Sequence, residues 1–189
     1  MRLISFFLTL LISSHVLADW TLSQPSRVNF VSIKNNGIAE IGHFKSFQAK
    51  VMANGEATLK IDLSSVNTGI DIRDERMQKH LFNTEQFTHA SFTSQIPPDV
   101  IEKAQKGEYQ TLQLKGSLEL HGQNQEVSVS VDITPTRDGH IRVASAEPLL
   151  IKADDFALLE GINKLQEIAS LKSIVSTVPL TFSLLFSAE

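Results

Sequence analysis

Hydrophobic residues recur at every second position along most of this chain, and that period narrows what it can fold into more than any other feature. Ala57, Leu59, Ile61 and Leu63 alternate with Thr58, Lys60, Asp62 and Ser64. Leu112, Leu114, Gly116, Leu118 and Leu120 alternate with Gln113, Lys115, Ser117, Glu119 and His121. Val127, Val129, Val131 and Ile133 follow the same rule, and Val178, Leu180, Phe182, Leu184 and Phe186 share one parity. Successive strand side chains point to opposite faces, so this pattern describes antiparallel sheet with one apolar face and one wet face. The even-numbered leucines from Leu112 to Leu120 should all face inward, because a one-residue slip would turn every one of them to water.

Turn chemistry punctuates the pattern. Asn36-Gly37, Asn54-Gly55 and Asp138-Gly139 are dipeptides that supply the positive φ of tight hairpin loops, and His121-Gly122-Gln123-Asn124 makes a fourth reversal. The reading gives eight strands: 20–33, 39–53, 56–64, 90–96, 108–121, 125–134, 140–147 and 174–187. Two segments follow helical spacing instead. One is 73–82, with Met77 and Leu81 on one side. The other is 154–171, with Leu158, Ile162, Leu165, Ile168 and Ala169 on one face and Asp154 or Asp155 as the expected cap. Long strands with one apolar face bury it either in a sandwich or in a closed barrel, and the period alone does not choose between them.

Residues 1–18 stand apart. One basic residue, Arg2, precedes the apolar run Leu3–Ile12, and Val16-Leu17-Ala18 closes the stretch. That is the order of a secretory signal peptide, and the run is too short for a membrane-spanning helix of roughly 20 residues. The expectation is a signal peptide over 1–18, a single domain over 19–189 and export to the periplasm. There is no cysteine, so disulfides, thiolate nucleophiles and Cys-built zinc sites are excluded. Beyond Arg2 the chain carries 16 basic and 21 acidic residues, a net charge of −5. Nothing in that balance recommends nucleic acid as a partner.

Catalytic and metal signatures are similarly lacking. The histidines beyond residue 18 are His43, His80, His89, His121 and His140, and their spacing fits no helical zinc motif. His121 falls at a turn and is best read as bonded to backbone. No Gly-x-Ser-x-Gly elbow or Gly-rich phosphate loop occurs. Arg73-Asp74-Glu75-Arg76 is read chiefly as the charged start of a helix, or else as a polar mouth meeting a ligand head group. The more informative set is aromatic: Phe44, Phe47, Phe82, Phe87 and Phe92 fall within 49 residues, either as ordinary core or as the wall of an apolar tunnel.

Four stretches resemble one known family. Ser65-Val66-Asn67-Thr68-Gly69, with Arg73-Asp74, Leu81-Phe82, Phe87 and Phe92, is similar to the central signature of the YceI family. Gly42-His43-Phe44-Lys45-Ser46-Phe47 resembles its Gly-x-Phe-x-x-Phe strand, Leu118-Glu119-Leu120-His121-Gly122 its Leu-x-Leu-His-Gly hairpin, and Asp155-Phe156 its Asp-Phe pair. Ala49, Thr88, Ala153 and Ala157 depart from the family's usual glycine, proline, arginine and glycine. The resemblance implies an all-β, eight-stranded, antiparallel lipocalin-like barrel with one or two short inserted helices. It also implies a carrier without catalysis, metal or cofactor, holding an isoprenoid, quinone or fatty-acyl chain in a barrel tunnel. The residues then expected to bind the chain are Phe44, Phe47, Leu59, Ile61, Met77, Leu81, Phe82, Phe87, Phe92, Leu118, Leu120 and Phe156. The expected partner is a hydrophobic small-molecule lipid, with a homodimer left open and a solid-core barrel acting through its surface as the alternative.

Asn67–Thr88 is the longest departure from the strand pattern. Segments of that length in compact domains usually serve function. Its apolar side offers Met77, Leu81 and Phe82, so it is expected to act as a lid.

Overall fold

The computed structural model describes residues 19–189; the expected signal peptide lies outside them. The strands are β1 (Trp20–Lys34), β2 (Ile38–Phe44), β3 (Phe47–Val51), β4 (Glu56–Asp62), β5 (Val66–Asn67) and β6 (His89–Gln95). They continue as β7 (Gln110–Leu120), β8 (Gln123–Pro135), β9 (Ile141–Ser145), β10 (Leu149–Lys152) and β11 (Thr177–Ala188). Eight of them close a ring in the order β1-β3-β4-β6-β7-β8-β9-β11, with β11 returning antiparallel to β1 from Trp20↔Ala188 to Phe30↔Leu180. A closed ring leaves no open edge and puts one face of every strand inside. β2, β5 and β10 extend the wall at one end.

The inward parity follows the sequence period. Leu114, Gly116 and Leu120 are buried while Gln113, Lys115 and Glu119 are exposed, and Val129, Val131 and Ile133 of β8 join the core. The β7–β8 hairpin closes through His121 (φ 51°) and Gly122 (φ 73°), with Leu120 paired to Gln123. Two residues with φ > 0 match the twist of the flanking strands, which explains the tightness of this turn. His121 meets the Phe87 ring in a tilted contact with centroids 4.4 Å apart, and its Nδ1 lies 3.3 Å from the Phe156 carbonyl oxygen.

Several elements differ from the sequence expectation. The 39–53 strand is two, interrupted where Lys45 and Ser46 bond to Ser65 instead of to a neighbouring strand. β10 interrupts what reads as loop before residue 154. Helix α2 (Pro98–Gln105) fills the stretch between the expected strands 90–96 and 108–121, to which the sequence pattern assigns no element; Pro98 sits in its first turn, where it costs no hydrogen bond. Its Val100, Ile101 and Ala104 are buried at the end of the barrel where β6 stops and β7 starts.

The two expected helices exist in altered form. Helix α1 (Asp71–Arg76) runs straight into a π-helical turn, Met77–Phe82. In the 154–171 segment, Asp154–Phe156 is an isolated 3-10 turn, ended by Ala157 at φ 53°, before helix α3 (Leu159–Ile168). Neither Asp154 nor Asp155 caps α3, whose N-cap is Leu158 with no side-chain bond. The left-handed residue ahead of it separates those aspartates from the helix start.

Candidate functional site

The interior is filled in one half and hollow in the other. Val28, Leu114, Val129, Val131, Ile133, Leu184 and Phe186 are all buried in the core at the α2 end. Beyond them, toward the ends of β4 and β7, lies a cavity of about 350 Å³. That volume falls in the range of roughly 300–1,000 Å³ typical of small-molecule pockets. The wall is overwhelmingly apolar, with Ser32, Lys34, Glu40, Arg73 and Arg76 as its polar members.

The local structure explains the wall. Phe30 stands on β1 opposite Gly42, and a Cβ at residue 42 would sit 2.2 Å from the Phe30 ring. Only glycine lets that ring lie flat across the neighbouring strand. Phe30 then meets Phe44 at 5.6 Å, and Phe44 meets Phe82 at 6.1 Å, both tilted. These separations suit favourable aromatic pairing. The π-helical turn supplies Met77, Leu81 and Phe82, while α3 and its N-cap supply Ile162, Leu165 and Leu158.

The two helical segments touch directly. A Cβ on Gly161 of α3 would lie 2.5 Å from the His80 carbonyl oxygen and 2.8 Å from the Leu81 Cα. Backbone therefore packs on backbone at this seam, over the cavity. π-Helical turns are rare and concentrate at functional sites, and this one turns Met77, Leu81 and Phe82 toward the cavity wall.

Polar groups form a network along one side. Glu40 receives Lys34 at 2.7 Å and Arg73 at 2.6 Å. Arg73 also donates from Nε to the Thr68 hydroxyl at 2.7 Å and from Nη2 to the Thr68 carbonyl at 2.8 Å. The Thr68 N–H donates to buried Asp74 at 2.9 Å, and the Thr68 hydroxyl and the Asn67 amide donate to it as well. The hydrogen bond from Lys34 holds the Glu40 carboxyl below the ordinary glutamate range; burial opposes this, and the nearby Arg73 charge reinforces it.

Seven of the twelve residues expected to bind a chain line this cavity: Phe44, Ile61, Met77, Leu81, Phe82, Leu118 and Leu120. The structure places the other five elsewhere. Phe47 and Leu59 pack partly buried against the core. The Phe92 ring covers Gly116, and the Phe87 ring covers Gly122. Phe156 is among the most deeply buried side chains. The sequence reading overlooked Phe30, the α3 face, and Ile174, Val178 and Leu180. Their signal was present in the helical spacing and strand parity, but an aromatic criterion passed over aliphatic walls.

Among the described residues no cluster of three or more His, Asp or Glu could hold a metal ion. Nor is any helix among them long and apolar enough to cross a membrane.

The model of the YceI-like domain matches residues 20–186, almost the whole described chain. The chain belongs to the YceI family. A polyisoprenoid-binding domain from Saccharophagus degradans, implicated in plant cell wall breakdown, superposes with a TM-score of 0.86 at 35% identity, covering 92% of this chain and 99% of that one. BcnA of Burkholderia cenocepacia gives 0.65 at 25% identity, covering 85% and 95%. The YceI protein of Campylobacter jejuni, at 18% identity and a TM-score of 0.53 over 78% and 84%, shares the fold. No curated protein sequence matches closely enough to add to these. Within this YceI-like chain, Ala157 takes positive φ where the family often has glycine, and Ala153 lines the cavity where the family often has arginine.

Proposed function

We propose that this chain is a periplasmic carrier that shields one long apolar chain, of isoprenoid, quinone or fatty-acyl type, and performs no catalysis. The observation that carries the reading is the apolar cavity of about 350 Å³ at one end of the barrel. The similarity to a domain described as polyisoprenoid-binding supports the same ligand class. A chain of that type cannot cross an aqueous compartment unshielded. Each buried CH₂ contributes ~0.8 kcal/mol, so about 20 carbons supply a gross ~16 kcal/mol. Association and ordering remove a large part, leaving roughly micromolar to nanomolar binding. The solid-core alternative would have the phenylalanines pack onto one another. Phe44 and Phe82 do pair, yet both still border the void, and Phe47, Phe87 and Phe92 lie outside the cavity wall.

The segment from Asn67 to Thr88 acts as the lid in this reading. It closes over the cavity against α3 and opens at the Gly161 seam to admit the chain. Native mass spectrometry of protein drawn from its own cells tests the proposal. A co-purifying apolar molecule, or uptake of added quinone or fatty acid, is the expected result. A barrel that stays empty in both arms refutes it.

A further inference from the structure

The cavity wall carries three cations and one acid, and they are unequally satisfied. Lys34 and Arg73 both close on Glu40, and Arg73 spends further donors on Thr68. Arg76 is different. It lines the cavity and is half-buried, yet no hydrogen bond or ion pair reaches it among the described residues. Asp71 and Glu75, its acidic neighbours on the same helix, are exposed and make no ion pair with it. Asp74 is buried and already accepts from Thr68 and Asn67.

A guanidinium is charged at any working pH and presents five donors in a planar fork that fits carboxylate and phosphate oxygens. Here that fork is unclaimed beside an apolar void. Ile72 lies one helical turn before Arg76 and Met77 directly after it, and both line the same cavity. A neutral head group would leave the charge unmatched, whereas an anionic one would complete it with charge-assisted hydrogen bonds.

We propose that the cavity takes a single-chain amphiphile whose anionic head, a carboxylate or a phosphate, is held by the Arg76 guanidinium while its tail fills the apolar interior. This rests on the apolar-chain reading above and narrows it: charged heads are preferred over quinone, alcohol or ester heads. Arg73 and Lys34 are not the anchors, because Glu40 already neutralises part of their charge and fixes their positions.

The test uses two matched pairs, oleate with methyl oleate and geranylgeranyl phosphate with geranylgeraniol. Affinities are measured by calorimetry on the 19–189 chain, on Arg76→Gln, and on Arg137→Gln, which removes an exposed charge in the β8–β9 turn. The chain should hold the anionic member of at least one pair about tenfold tighter, which is ~1.4 kcal/mol. Arg76→Gln should erase that preference without weakening the neutral member, and Arg137→Gln should keep it. Loss confined to the carboxylate pair assigns a fatty acid, and loss confined to the phosphate pair assigns an isoprenyl phosphate. Equal affinity within both pairs, or a preference that survives Arg76→Gln, overturns the anion site. Binding of none of the four overturns the carrier reading itself.

Discussion

Substituting Gly161 by alanine should separate the stability of α3 from the tightness of the seam it forms. The new methyl would meet the His80 carbonyl oxygen at 2.5 Å and the Leu81 Cα at 2.8 Å. Both partners are backbone, so no rotamer change relieves the contact, and the two segments must part by several tenths of an ångström. Overpacking of this kind costs about 1–3 kcal/mol. The same change raises helix propensity by about 0.8–1.0 kcal/mol, because glycine is the poorer helix former. The net effect is a loss of roughly 0–2 kcal/mol, or a fall of a few degrees in thermal midpoint for a chain this size. Ligand release should respond more strongly, since the displaced seam is the proposed closure. The assay pairs urea unfolding with the dissociation rate of a fluorescent fatty acid. A variant more stable by the full helix-propensity gain, with an unchanged dissociation rate, would show that the seam neither packs tightly nor gates.

Phe82→Ala should cost about 3–5 kcal/mol as a truncated core aromatic and also speed ligand release; Val129→Ala, deep in the filled half, should lower the thermal midpoint without that excess. If both variants lose ligand only in proportion to stability, Phe82 is core and the lid idea fails. Gly42→Ala should cost about 1–3 kcal/mol by pushing the Phe30 ring into the cavity, and should reduce the uptake of added fatty acid read by native mass spectrometry; unchanged uptake would refute the aromatic wall. Glu40 has its folded pKa lowered, chiefly by the hydrogen bond from Lys34. Its stabilising contribution is therefore present above the unfolded value of about 4.3 and is lost as pH falls through the folded value. Unfolding midpoints measured from pH 6 to pH 3 should decline more steeply in the unmodified chain than in Glu40→Gln, and equal slopes would refute this.

Much of the barrel was legible because its determinants are local. The parity of Leu112–Leu120 and of Val127–Ile133 assigns two neighbouring strands, and His121-Gly122 joins them with a turn that needs two positive φ values. Closure was not legible in the same way. The pairing of Trp20 with Ala188 joins the two ends of the described chain, and no local signal encodes a contact over that separation. The break at Lys45-Ser46 depends on bonds to Ser65, and α2 is a short helix of eight residues that begins at a proline. In each case a contact distant in sequence, or a permissive first helical turn, overrode the local pattern.

The cavity shows the same division more sharply. Phe44, Met77, Leu81 and Phe82 are close in sequence and reach one wall, so clustering of aromatic and soft apolar residues located that wall. Phe47, Phe87 and Phe92 satisfy the same criterion, yet they serve the fold: Phe87 and Phe92 lie over Gly122 and Gly116, where a strand or turn without a side chain leaves room for a ring. What separates the two groups is the neighbour each ring meets: Phe44 and Phe82 meet each other beside the void, while Phe92 and Phe87 each lie against a glycine of the β7–β8 hairpin. Those neighbours are set by pairing and closure, which a single strand's composition does not reveal. The opposite wall, from α3 and the start of β11, is aliphatic and more than 70 residues downstream of Phe82. A void exists only where two such distant walls fail to meet. Its position is therefore a property of closure, the feature the sequence encodes least directly, while the chemistry of each wall is readable residue by residue.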